Sequence, residues 1–98
     1  MKHYIQAVQD IFDDIEEVAQ GEWKIMTAEQ LQDTFVISAI EASVKLNGLR
    51  RARKQGRLSP EEARQVQALE RREQRIDKII EAVAHAYKKT RRLRTLTT

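Results

Sequence analysis

Ninety-eight residues are enough for one domain, and the absence of cysteine excludes disulfides and cysteine-based zinc sites, so a reducing cytoplasm is the expected compartment. With 41% apolar and 34% charged residues the chain is too apolar for a disordered polymer. No apolar run reaches the roughly 18 residues of a membrane span, and the opening MKHYIQAVQD lacks a signal-peptide core, so no membrane association is expected.

The net charge of +3 conceals a strong polarity. Residues 1–33 carry two cations and eight anions, whereas residues 45–98 carry sixteen cations and six anions. Either the two halves pair with each other, or the chain presents separate acidic and basic surfaces to partners.

The first helix is predicted over about residues 3–20. Tyr4, Val8, Ile11, Ile15 and Val18 recur at spacings of four and three, widened by Ile5, Phe12 and Ala19, which makes a full amphipathic face. Gly21 is placed at its C-terminal stop. The link EWKIM that follows offers Trp23, Ile25 and Met26 as a plug over the end of the bundle.

The second helix is predicted over about residues 28–55. The run TAEQ is a capping box: the Thr27 hydroxyl accepts from the amide three residues on, and Gln30 reaches back to Thr27. The middle, FVISAIEASVKL, is apolar on nearly every side. Phe35, Ala39, Ala42 and Leu46 form one stripe and Val36, Ile40 and Val44 another beside it, so cover is needed on more than one side. Gly48 weakens the helix by about 1 kcal/mol without ending it. The stretch LRRARKQGRLSPEE then makes a corner. Gly56 suits a left-handed stop, Ser59 an N-cap, Pro60 the first helical position and Glu62 the far half of a second capping box.

The third helix is predicted over about residues 60–90, with Val66, Leu69, Ile76, Ile80, Val83 and Tyr87 as its stripe and a frayed basic tail over 91–98. Glu73 falls on that stripe, where an apolar residue is expected. The fold class is therefore all-α: a single domain of three helices, with a long antiparallel hairpin of the second and third helices and a shorter N-terminal helix packed on it. The first helix is expected to cover the half containing residues 27–45 and 72–90, leaving about 46–70 as a bare two-helix arm. Its acidic end would then lie beside Lys88–Arg94.

Several groups are candidates for function. Arg50, Arg51, Arg53, Lys54, Arg57 and Arg64 cluster at the corner. They form either a basic arm for phosphates or an acidic protein, or only a helix end whose cations complement the macrodipole. Lys88, Lys89, Arg91, Arg92 and Arg94 form a basic tail with the same two readings. Val36, Ile40 and Val44 are the candidate oligomer interface. Asp10, Asp13, Asp14 and Glu17 share one helical face, but a lone carboxylate row reads as solvated surface, and His85 follows Glu81 by four residues, so neither copy of the Glu-x-x-His pair of a bundle di-metal site is present. No catalytic residue, metal site or cofactor is assigned, and no enzymatic activity is expected. The expected function is a small helical protein–protein interaction or regulatory accessory protein, homodimeric. The alternative is a nucleic-acid-binding protein that uses the basic arm and tail.

Overall fold

Helix α1, Lys2–Ala19, buries Ile5, Val8, Phe12 and Ile15, spaced by three, four and three residues along one face. It ends in a tightening turn, in which the Gln20 amide donates to the Glu17 carbonyl and the Gly21 amide to that of Val18. Gly21 is extended, with φ −179°, so it does not act as the left-handed stop that its position suggests. A 3₁₀ turn, Glu22–Ile25, follows. Trp23 and Met26 pack on the core as expected, but Ile25 is 87% exposed and plugs nothing. The computed structural model describes the backbone of residues 2–97 and the side chains of residues 2–90.

Helix α2 spans residues 28–54 as an α-helical first turn, Ala28–Leu31, a wide π-type segment, Gln32–Ile37, and an α-helix, Ser38–Lys54. The residues at both junctions keep right-handed helical backbone angles, so the three pieces are one rod. Thr27 caps it as predicted: its hydroxyl accepts from the Gln30 amide at 3.1 Å, and its own amide donates to Gln30 Oε1 at 2.9 Å. The widened segment has a local partner in Ser38, whose hydroxyl donates to the Asp33 carbonyl five residues back, competing with the regular ladder. Gly48 lies inside the helix, which runs through it.

The corner closes as its residues dictate. Gly56 has φ 73°, the left-handed conformation. The Arg57 amide donates to the Ala52 carbonyl and the Gly56 amide to that of Arg53, the pairing of a Schellman motif. Ser59 accepts from the Glu62 amide at 3.1 Å, and Glu62 Oε1 accepts from the Ser59 amide at 3.0 Å. Helix α3 runs Pro60–Thr97, seven residues beyond the predicted end, because neither Gly nor Pro occurs after Pro60 to stop it. We expect Ser59→Ala to cost about 1 kcal/mol, and Gly56→Ala to cost about the same through its positive φ. Urea denaturation midpoints check both.

The three helices share one core, and its extent corrects the expected placement of α1. Leu46, Leu49, Val66 and Leu69 are buried in one cluster with Ile5, Val8, Phe12 and Ile15, and Ala52 is buried as well. Arg72 of α3 reaches Asp13 and Glu16 of α1. Helix α1 therefore covers the corner end of the hairpin, and no bare arm exists there. The link explains the displacement. Glu17 and Val18 share a hollow with Asp33 and Thr34, so the last turn of α1 stands level with the second turn of α2, and the chain climbs past the end of α1 before it reverses. The end left with only two helices is the opposite one. There Leu31 and Phe35 of α2 face Ile80, Val83 and Tyr87 of α3 across an apolar groove. The molecule measures 58 × 18 × 18 Å, and its long dimension is set by α3, which at 1.5 Å per residue is about 57 Å.

Candidate functional site

The cations at the corner divide into two sets. Arg50 and Arg53 are half-buried and turned inward. Arg50 donates to Glu70 at 2.8 Å and Glu73 at 3.2 Å, and Arg53 donates to Glu70 at 2.6 Å. Glu73, on the seam where an apolar group is expected, also accepts from the Ser43 hydroxyl at 3.0 Å. This polar layer clamps α2 to α3, so Arg50 and Arg53 do not belong to a free basic surface. Arg51, Lys54, Arg57 and Arg64 are exposed, and none of them forms an ion pair with a described residue. Lys88 and Lys89 are exposed on α3. Arg91, Arg92 and Arg94 lie outside the residues whose side chains are described.

The acidic end of α1 also divides. Asp13 and Glu16 are taken by Arg72, whose guanidinium meets Glu16 at 3.2 Å and lies 5.7 Å from the centre of the Phe12 ring. Compensation of these carboxylates thus comes from the middle of α3, and neither Lys88 nor Lys89 pairs with them. Asp14 and Glu17 face the other way. With Glu22 and Asp33 they line a hollow between α1 and α2, and none of these four carboxylates forms an ion pair with a described residue.

Between the acidic hollow and the basic corner runs the outer strip of α2. Val36, Ile37, Ile40 and Val44 are 43%, 53%, 60% and 65% exposed. Among the described residues neither α1 nor α3 covers Ile37, Ile40 or Val44, and Val36 stands at the rim of the groove that faces α3. Ile37 was not among the predicted interface residues, although the spacing contains it: Ile37, Ile40, Val44, Asn47 and Arg51 follow each other by three, four, three and four. Grouping by fours alone selects Val36, Ile40 and Val44 and passes over it. A contiguous apolar run of this kind is larger than the single exposed apolar residues ordinary on a monomer surface.

Among the described residues no group of three or more metal-ligating side chains converges, and no helix is long and apolar enough to cross a membrane. His85 is exposed on α3.

The carboxylates that hold the corner make stability acid-sensitive. The Ser59 amide holds the Glu62 carboxyl below its ordinary range, and hydrogen bonds from Arg53 and then Arg50 do the same for Glu70. A depressed native pKa contributes stability that is complete above the unfolded value, near 4.3 for a glutamate in general, and is lost as pH falls through the native value. Burial raises Asp77 and so acts in the opposite sense. We expect a flat melting temperature between about pH 5 and 7 and a fall below about pH 4, with a shallower acid limb in Glu70→Gln, measured by circular dichroism.

No protein-family model matches the chain, and no curated protein or solved structure matches it.

Proposed function

We propose that the chain is a small, non-enzymatic helical interaction protein of the regulatory or accessory kind, acting as a homodimer through the outer strip of α2. The supporting observation is the exposure of Val36, Ile37, Ile40 and Val44 in one run, with no described residue of the same chain placed over the last three. A short chain buries a smaller fraction of its surface than a large one, which favours covering such a strip by association. The nucleic-acid reading is the weaker one. Arg50 and Arg53, two of the six corner cations that carried it, are bound to Glu70 and Glu73.

Ile40→Glu is the test. Ile40 is exposed in the protomer, so the melting temperature of dilute protein should change little. Association would bury one carboxylate per copy, and the dimer should weaken by about 100-fold or more, a few kcal/mol. Sedimentation equilibrium measures this. A wild-type protein that stays monomeric at high micromolar concentration would overturn the proposal.

A further inference from the structure

We infer that two copies pair through α2 in antiparallel fashion about a two-fold axis level with Ala42, each basic corner resting over the acidic hollow of the other copy. The inference rests on the self-association reading and adds its geometry. Its basis is the order of groups along the exposed strip: carboxylates at one end, apolar residues in the middle, cations at the other.

In such a pair, a residue a given number of places before Ala42 lies level with the residue the same number of places after it in the other copy. Ile40 then lies level with Val44 of the partner subunit, and Ile37 with Asn47 of the partner subunit. Asp33 lies level with Arg51 of the partner subunit. The apolar residues meet in the centre and each end closes on an opposite charge. A parallel pair sets every residue beside its own copy: Asp33 against Asp33 of the partner subunit, Arg51 against Arg51 of the partner subunit. Like charges then face each other at both ends, the arrangement that disfavours a register in paired helices.

Two further observations have no explanation within one protomer and fit this register. The first is the hollow lined by Asp14, Glu17, Glu22 and Asp33. It gathers four carboxylates toward the negative end of α1, against the helix dipole. The exposed Arg51, with Lys54 and Arg57 beyond it, supplies the missing cations once the second copy is reversed. The second is Gly48. A Cβ there would meet nothing within 4 Å, so packing inside the protomer does not require a glycine that weakens the helix. Ile37, Val44, Gly48 and Arg51 follow one another along one edge of the strip by seven, four and three residues. In the antiparallel pair Gly48 is one position from the level of Ile37 of the partner subunit on that edge, where the lack of a side chain lets the helices approach.

The chain has no cysteine, so orientation can be read by disulfide trapping. Ile37 and Asn47 are ten residues apart, about 15 Å along one helix, too far for a disulfide between like positions of antiparallel copies. An equimolar mixture of Ile37→Cys and Asn47→Cys proteins should oxidise to the mixed dimer, identified by mass, while each variant alone stays monomeric in non-reducing gels. Arg51→Asp should weaken association by about tenfold, and adding Asp33→Arg in the same chain should restore it. If Ile37→Cys alone forms a disulfide dimer, or if the Arg51→Asp, Asp33→Arg chain associates no better than Arg51→Asp, the register is overturned while self-association stands. A wild-type protein that sediments as a monomer overturns both.

Discussion

Phe12→Ala is expected to destabilise the protein by about 3–5 kcal/mol, among the larger losses for a single truncation. The Phe12 ring is 1% exposed, within the core shared by all three helices, and Arg72 lies over it. Removal leaves a cavity at the level where α1 meets α3. For a domain of this size each kcal/mol moves the melting temperature by about 4–8 °C, so a fall of roughly 12 °C or more should appear in a thermal scan. Total stability of small domains is about 5–15 kcal/mol, so the variant sits near the limit of folding. Leu49→Ala belongs to the same experiment. Under a bare two-helix arm Leu49 would be partly solvated and its truncation mild. Fully buried, as it is, it should cost about 2–5 kcal/mol. A small loss at Leu49 beside a large one at Phe12 would contradict the placement of α1 over the corner end.

That placement marks where local reading of the sequence stops working. The stops and starts at Thr27, Gly56 and Ser59 were legible because each cap is a contact within a few residues, decided by backbone conformation and one side chain. The all-α class and the long hairpin followed from apolar periodicity for the same reason. Where α1 docks is decided by contacts between residues more than fifty positions apart, such as Arg72 with Glu16, and periodicity carries no information on axial offset. The corner cations misled in a related way. Arg50 and Arg53 look identical to Arg51 and Lys54 in the sequence, and only the position of Glu70 and Glu73 on the facing helix separates the bound pair from the exposed one. The break in apolar spacing at Glu73 was a visible sign of that layer, because a carboxylate on a seam needs a partner. The widened turn at Gln32–Ile37 had no comparable sign.

Arg72→Glu is expected to be the most damaging of the charge substitutions. In the native chain the guanidinium holds Glu16 through two hydrogen bonds and reaches Asp13 as well. The native arginine is raised further above its ordinary range by those same hydrogen bonds, so it stays charged throughout the accessible pH range. Hydrogen bonds to charged groups are worth about 1.5–3 kcal/mol each when desolvated, but Glu16 and Asp13 are 38% and 64% exposed, which screens them. A loss of about 1–3 kcal/mol is the discounted expectation, composed of the lost pairing and new repulsion among three carboxylates. The partner substitution Glu16→Arg restores one opposite pair across the same contact. The double variant Arg72→Glu, Glu16→Arg should therefore be more stable than the sum of its single changes predicts, by about 0.5 kcal/mol or more, the range for residues in direct contact. Urea denaturation of the four proteins in low and high salt completes the cycle. The coupling should shrink as salt rises, because part of the contact is open to solvent. Lys88→Glu with Glu16→Arg, a pair joined only if the end of α1 met the end of α3, should be additive within error. If instead that pair couples and Arg72 with Glu16 does not, α1 lies at the other end of the hairpin.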